Sequence, residues 1–326
     1  MILILSSLYD SSTTNVLYWL LQMKNDFFRL NTEDLKTKVS NIDLNIGEIE
    51  LSYDLNNKIS LKDITSVWFR RTGLVNNNIS NFSTQIEETI IPGNSKYISS
   101  ILKSELAIMH EYIIDTLYTC IPNKIGNPKV SGLNKLITLK LAKAHGLLVP
   151  ESFIISSSEE LEEVIKHSGE EYISKAFAEG VYLFTKENGY YTYTEKVVKE
   201  DVPDNFFPSL LQKCIQKLYE IRAFYLNGKF YSMAIFSQQN EETAVDFRKS
   251  NKFKNRYVPY LLSSDIESKL IALFKDLNLN SGSVDFIVNK SNDLIFLEVN
   301  PVGQYAMTSQ PCNYNLDKLI AETLSI

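Results

Sequence analysis

The chain has 326 residues, of which 44% are hydrophobic and 11% aromatic, and its formal net charge is -6. This composition indicates a folded protein of two or three domains, and it excludes a disordered chain. We expect neither a nucleic-acid partner nor a membrane span, because there is no basic excess and no apolar run of about eighteen residues. The three cysteines lie far apart in the sequence, which favours a reducing cytoplasm over a disulfide framework.

The first hundred or so residues predict a small α/β domain. An apolar run predicts a first strand, and helical spacing of apolar residues predicts a helix directly after it. Two further helical stretches are predicted later, with a break at Pro92, which removes a backbone donor. The predicted strands are Ile2 to Leu5, Phe27 to Leu30, Glu48 to Tyr53 and Thr65 to Phe69, and the predicted helices are Ser11 to Met23 and two within Phe82 to Tyr118.

The middle of the chain begins with a segment, Ile121 to Pro128, that has the composition of a linker. A helix is predicted from Ser131 to His145, and Ser157-x-x-Glu160 is a capping box that opens another. Strands are predicted at Phe153 to Ile155 and Tyr172 to Lys175, followed by a hairpin within Tyr182 to Val198 around Asn188-Gly189.

A second α+β unit is predicted after Pro208. We therefore expect three domains: residues 1–125, 126–208 and 209–326. The predicted elements of the last domain are a hairpin of Glu220 to Leu226 and Lys229 to Ser237, a helix from Asp265 to Asp276, strands Ser283 to Val288 and Leu294 to Val299, and a helix from Leu316 to Leu324.

The most informative motif is the last predicted hairpin, in which apolar strands carry single acids. Alternation places Glu298 and Asn300 on one face, and a turn centred on Ser291 and Asn292 puts Asp285 directly across from Glu298. Two bare carboxylates there would repel each other, whereas Mg²⁺ binds such oxygen ligands and leaves positions open for nucleotide phosphates. The alternative interpretation is a solvated hairpin with incidental acids.

Two lysines suit nucleotide phosphates, because a lysine ammonium is a compact point charge. Lys135 lies near the start of a predicted helix, and Lys175 ends a predicted strand. Each could instead be a solvated surface lysine.

For each of two basic segments, the sequence is compatible with two different roles. Alternation sends Arg70 and Arg71 to opposite faces after a buried Trp68, either in an interdomain ion pair or in contact with nucleotide or peptide. The stretch from Phe247 to Tyr260 is rich in cations and is either a solvated loop or a contact for an acidic peptide or a phosphate.

From about residue 130 to the end, the features in chain order are Lys135 and its helix, Lys175, Leu211-Gln212-Lys213-Cys214, Glu220-x-Arg222, Asp246-Phe247-Arg248, Asp285 and Glu298-Val299-Asn300-Pro301. This order resembles the ATP-grasp fold, preceded by an N-terminal α/β domain. The resemblance implies that the lysines bind ATP phosphates, that Glu220 belongs to the nucleotide site, and that Arg222 and Arg248 face the phosphates or an acyl phosphate. It also implies an adenine pocket lined by Gln212, Lys213 and Ile215.

The segments that narrow the match are Ser66 to Arg71, Ser237-Gln238, Val245 to Arg248, Pro259-Tyr260, Asn300 to Gln304 and Pro311 to Tyr314. They resemble the grasp-with-spasm peptide maturases, which are relatives of the microviridin ligases. This resemblance implies ATP and Mg²⁺ as cofactors and a homodimer. It also implies a ribosomally made precursor peptide, with a leader and a core rich in acids, Thr and Ser, that is closed into ester or amide macrocycles.

Two other functions stay open. The same nucleotide site would serve a ligase that adds free amino acids to a peptide or metabolite. The third hypothesis is a leader-peptide-binding module without catalysis, but the retained acids and lysines argue against it.

Overall fold

The computed structural model describes residues 1–34, 38–52, 58–71, 95–130, 132–177, 182–184, 189–191, 194–237 and 255–326. The chain forms two compact units, one of Met1–Lys129 with Asn315–Ile326 and the other of Val130–Tyr314. The predicted fold class, α/β with α+β, is confirmed by the mixture of parallel and antiparallel sheets with helices. The predicted division into three domains stays a prediction. Within the described part of the chain, no helix is long and apolar enough to cross a membrane.

The first unit is built on a parallel sheet in the spatial order β2 (Phe27–Asn31), β1 (Ile2–Ser6), β6 (Ser66–Phe69) and β7 (Asn123–Ile125). The prediction of a linker at 121–128 is wrong for the three residues that form β7. Ile125 lies beside Trp68 in the sheet and is buried. Three residues are too few to show the period of two by which a strand is recognised.

The other elements of this unit cover the sheet or flank it. The predicted helices and strands are found within about two residues of their expected ends, and the stretch predicted to be helical before Pro92 lies outside the described residues. The elements are α1 (Ser11–Gln22), α2 (Ser95–Cys120), α7 (Leu316–Leu324) and an antiparallel sheet of β3 (Lys38–Asp43), β4 (Glu48–Ser52) and β5 (Lys58–Ser60).

Arg70 and Arg71 follow β6 and approach the same carboxylate oxygen. Arg70 Nε lies 3.0 Å and Arg71 Nε 3.4 Å from Oδ2 of Asp10, which caps the N-terminus of α1. The expectation that the two side chains point to opposite faces is therefore wrong, because the strand ends at Phe69 and strict alternation ends with it. The ion pair also joins two residues of the same unit.

The second unit contains a small antiparallel sheet in the order β12 (Glu195–Val197), β9 (Tyr172–Lys175), β13 (Asn205–Lys213) and β8 (Ser152–Ser157). The predicted capping box of Ser157 and Glu160 opens α4 (Ser158–Ser168), which ends at the left-handed Gly169. β13 runs through Pro208 at a shift in register, where a missing backbone donor is tolerated.

The hairpin predicted within residues 182–198 is confirmed in its first part only. β10 (Tyr182–Phe184) pairs with β11 (Gly189–Tyr191), and Asn188 lies outside the described residues. β12 instead pairs with β9 in the small sheet.

The large sheet of the second unit is antiparallel, in the order β16 (Arg256–Tyr260), β15 (Lys229–Phe236), β14 (Lys217–Leu226), β17 (Ser281–Asn289) and β18 (Leu294–Asn300). Alternate residues such as Ala223 and Phe286 form the main core with α3 (Lys135–Ala144) and α5 (Ser264–Asp276). The opposite face carries the polar residues of the predicted site and, toward β15, the short helix α6 (Ala306–Cys312).

Three details of this unit differ from the sequence predictions. α3 begins at Lys135 and is capped by Asn134, and Ser131, where the helix was expected to begin, lies outside the described residues. The solvated-loop interpretation of 247–260 is wrong in the described part, which contains strand β16, while the contact with a peptide or a phosphate stays a prediction. Helix α6 was not predicted, since Pro311 lies inside it and proline usually indicates a break.

Candidate active site

The last hairpin places Asp285 of β17 directly opposite Glu298 of β18, which confirms the predicted register. Close to the turn, Phe286 faces Phe296, so a regular ladder would bring Leu297 opposite Asp285. A β-bulge adds Leu297 as an extra residue and lets Glu298 take that place. Phe296 remains in the core, and the two carboxylates share the other face of the sheet.

Asn300 lies on the same face as Glu298 and opposite Ser283 of β17. Among the described residues, no group of three or more His, Cys, Asp or Glu side chains gathers in a metal-binding arrangement. The predicted ligand set is instead two carboxylates and one carboxamide. These hard oxygen donors fit Mg²⁺, which commonly binds one or two carboxylates together with water and phosphate oxygens. Their role as ligands stays a prediction.

A cationic side chain accompanies each of the two acids. Arg222 of β14 pairs with Asp285 in the sheet ladder, and its Nε lies 3.6 Å from Asp285 Oδ1. Lys135 Nζ lies 3.4 Å from Glu298 Oε2. Arg222 is only 6% exposed, whereas the carboxylates of both acids remain partly open to solvent. The site therefore combines a buried guanidinium beside Asp285 with a partly exposed ammonium beside Glu298.

The two predicted phosphate-binding lysines come from different elements that meet at this place. Lys135 begins α3, and its ammonium donates a hydrogen bond of 3.4 Å to the backbone oxygen of Ala176. Ala176 directly follows Lys175, the last residue of β9. The structure thus brings Lys135 to both Glu298 and the end of the small sheet.

The turn after Asn300 is held by close backbone packing. Gly303 has a φ of +62°, and a Cβ atom there would lie 2.9 Å from Phe224 Cε2 and 3.1 Å from Gly282 Cα. The Gly303 N–H donates to the backbone oxygen of Asn300 at 3.2 Å and to its side-chain Oδ1 at 3.3 Å. Glycine at this position lets the turn lie against β17 and fix the Asn300 side chain.

The residues predicted to border adenine lie where β13 leads into β14. Gln212 is 1% exposed, and its Nε2 donates to Ser152 Oγ at 2.9 Å, so its side chain is engaged inside the small sheet. Lys213 Nζ pairs with Glu170 at 2.5 Å, and this hydrogen bond raises the pKa of the Lys213 ammonium. Ile215 is half-buried in the connection that follows. Their contact with adenine stays a prediction.

Two residues near the site were not found from the sequence. Lys217 is buried at the start of β14 and forms an ion pair with Glu220, the acid predicted to belong to the nucleotide site. A lysine ahead of the apolar run of β14, three residues before an acid, was the available signal. Met307 of α6 accepts a hydrogen bond of 3.5 Å from Arg222 Nη1, and nothing in the sequence pattern indicates it. Arg248 lies outside the described residues.

The fold is that of the ATP-grasp ligases, since solved structures of that class match over nearly the whole chain. A RiPP-associated ATP-grasp ligase from Chryseobacterium gregarium, solved with ADP and a leader and core peptide, is 22% identical with a TM-score of 0.80, covering 99% of this chain and 96% of that chain. The macrocyclase MdnC from Microcystis aeruginosa MRC, bound with precursor peptide MdnA, is 22% identical with a TM-score of 0.77, covering 100% and 99%. The ATP-grasp ligase PsnB, solved with a minimal precursor, Mg and ADP, is 14% identical with a TM-score of 0.72, covering 99% and 96%.

No protein-family model matches the chain, and no curated protein matches it.

Proposed function

We propose that this protein is an ATP-dependent carboxylate ligase that uses Mg²⁺ and closes macrocycles in a ribosomally made precursor peptide. The observation that carries the proposal is the pairing of Asp285 with Glu298 on the solvent side of the last hairpin, with Lys135 3.4 Å from Glu298. Solved neighbours that contain precursor peptides together with ADP support the same activity and the same cofactors.

The chemistry follows from the weakness of a carboxylate as an electrophile. Transfer of the γ-phosphoryl group of ATP to an Asp or Glu side chain of the peptide gives an acyl phosphate. A hydroxyl or amine of the same peptide then attacks the acyl carbon, phosphate leaves, and an ester or amide closes the ring. Bound magnesium supplies neutralisation of the phosphate charge.

This chain's residues have separate tasks in that reaction. Asp285, Glu298 and Asn300 hold the metal, and Lys135 and Lys175 bind phosphate oxygens. The buried guanidinium of Arg222 lies beside Asp285, where it stabilises the charge on the transferred phosphoryl group. Holding two side chains of one peptide in a single site makes ring closure intramolecular, an advantage that can reach roughly 7 to 11 kcal/mol.

The test is to incubate the protein with Mg-ATP and candidate precursor peptides and to weigh the products by mass spectrometry. The proposal expects ADP formation that depends on the peptide, and the loss of one water mass for each linkage. A gain equal to an amino acid residue would identify a ligase of free amino acids. Tight peptide binding with neither ADP nor a mass change would identify a binding module.

The finer assignments belong to the same proposal. We propose a core rich in Asp, Glu, Thr and Ser, a cytoplasmic setting and a homodimer, the last to be tested by analytical ultracentrifugation.

A further inference from the structure

Ser283 of β17 carries a buried hydroxyl that the proposed chemistry does not use. The residue is 0% exposed, and its Oγ has no hydrogen-bond partner among the described residues. A buried hydroxyl without a partner lowers stability, and such groups are uncommon enough in native proteins to need a physical reason.

The position of Ser283 in the sheet points to a partner. It lies directly opposite Asn300 in the β17–β18 ladder and two residues before Asp285, so all three side chains share one face. Directly opposite residues of an antiparallel pair have Cβ atoms about 4.5 to 5.5 Å apart, within reach of a carboxamide. On the other side, Ser283 faces Phe224, whose side chain offers no polar atom.

A carboxamide that binds a metal has a second requirement. The metal takes the oxygen, and the NH₂ group of the same side chain then needs an acceptor. In this structure, the Gly303 N–H already donates a hydrogen bond of 3.3 Å to Asn300 Oδ1. An oxygen has two lone pairs, so that hydrogen bond leaves one lone pair for a metal. The carboxamide nitrogen then donates either to Ser283 or to solvent.

We propose that Ser283 is a positioning residue whose Oγ accepts a hydrogen bond from Asn300 Nδ2 when the carboxamide oxygen faces magnesium. The inference rests on the proposed function, because it takes Asn300 as a metal ligand. It extends the metal site to a residue that touches neither metal nor nucleotide. Groups that orient metal ligands in this way commonly change metal affinity about 10- to 100-fold when they are removed.

The first experiment measures Ser283→Ala in two ways. In metal-free protein, the unfolding midpoint should be unchanged or higher, because the substitution removes an unpaired hydroxyl. The Mg²⁺ concentration needed for half-maximal ADP binding, measured by calorimetry, should rise about 10-fold or more. The matched control is Ser232→Ala, which removes another buried hydroxyl from the core side of the same sheet, opposite Ala223. It should leave the Mg²⁺ requirement unchanged.

A double-mutant cycle then tests whether Ser283 acts through Asn300. In an Asn300→Ala background, Ser283→Ala should cause no further loss of Mg²⁺ affinity. An undiminished Mg²⁺ affinity of the single variant, a full additional loss in the double variant, or a clear fall in the metal-free unfolding midpoint would each overturn the role of Ser283. A wild-type protein that binds no Mg-ADP would refute the proposed function itself, and the role of Ser283 with it.

Discussion

Asp285 faces Glu298 because β18 contains one residue more, Leu297, than the matching stretch of β17. In a regular ladder, Leu297 would face Asp285 and Glu298 would point toward the core, since a slip of one residue moves a side chain to the other face. Phe296 and Val299 are three residues apart and yet both belong to the core. The bulge between them therefore turns Glu298 outward, as bulges next to functional sites often do.

Replacing Lys135 should weaken nucleotide binding without much effect on stability. The ion pair with Glu298 joins side chains that are 25% and 30% exposed, and such a pair contributes only about 0 to 1 kcal/mol. We expect Lys135→Met to raise the KM for ATP at least about tenfold, because it removes a charge from the phosphate site. The control is Lys140→Met, an exposed lysine on the same helix. Equal KM values for the two variants would show that Lys135 does not bind the phosphates of ATP.

Arg222→Lys keeps the charge at this position but loses the planar fork of the guanidinium. Because the side chain is buried between Asp285 and Met307, we expect kcat to fall about 10²- to 10³-fold. The measurement is the rate of peptide-dependent ADP release. Lys229→Arg, the reverse exchange at an exposed residue of β15 in the same sheet, should keep the wild-type rate. An Arg222→Lys rate within about threefold of wild type would exclude a catalytic role for the guanidinium.

Gly303→Ala should destabilise the second unit more than Gly169→Ala does. Both glycines have nearly the same positive φ, +62° and +67°, but a Cβ at Gly169 meets nothing within 4 Å. The left-handed conformation costs about 1 to 2 kcal/mol in each variant. The contacts with Phe224 and Gly282 should add about 1 to 3 kcal/mol for Gly303→Ala.

Urea unfolding followed by far-UV circular dichroism measures this difference. Gly303→Ala should also weaken Mg-dependent ADP binding, because the turn orients Asn300. Equal unfolding midpoints for the two variants would show that the close packing of Gly303 against Phe224 and Gly282 does not contribute to stability.

The sequence predicted the register of the last hairpin correctly, but the structure does not have the turn centre and the straight strands from which that register was predicted. A turn centred on Ser291 and Asn292 with straight strands gives the pairing of Asp285 with Glu298. The actual turn is centred on Ser291 alone, since Val288 pairs with Leu294 and the Asn289 N–H donates to the backbone oxygen of Asp293. The bulge at Leu297 then restores the register. Apolar periodicity does not reveal a single inserted residue.

Other elements could not be predicted because their causes lie in tertiary contacts. β7 is three residues long, and its place beside β6 is set by burial of Ile125. The pairing of Lys135 with Glu298 joins residues from a helix and a strand that are far apart in sequence. Long periodic helices such as α5 were predicted almost to the residue, because their apolar spacing and caps are local.

Asp10→Asn should destabilise the first unit in a pH-dependent way. Burial alone would raise the pKa of Asp10, but the Arg70 guanidinium, hydrogen bonds from Ser12 and Thr13, and Arg71 together hold it below its usual value. A lowered folded-state pKa contributes stability that is present above about pH 4 and is lost as the pH falls through the folded pKa. At pH 7 we expect the variant to be less stable by roughly 3 to 5 kcal/mol, because the buried Arg70 guanidinium loses the negative charge of Asp10.

The measurement is urea unfolding followed by tryptophan fluorescence. The chain has two tryptophans, Trp19 and Trp68, and both lie in the first unit, so the signal reports on that unit alone. The gap between wild type and variant should narrow below about pH 4. A gap that stays constant from pH 7 to pH 3 would show that the Asp10 charge does not stabilise the unit.

We propose that the outward-facing acids of the last hairpin hold magnesium for a nucleotide. Calorimetric titration of ADP at fixed Mg²⁺ tests this role in wild type, in Asp285→Asn and in Asp293→Asn, which changes an exposed aspartate in the turn of the same hairpin. We predict Mg-dependent binding to wild type and Asp293→Asn, and a loss of affinity of at least about 100-fold for Asp285→Asn. Equal Mg-dependent affinity in all three folded proteins would show that Asp285 does not hold the metal.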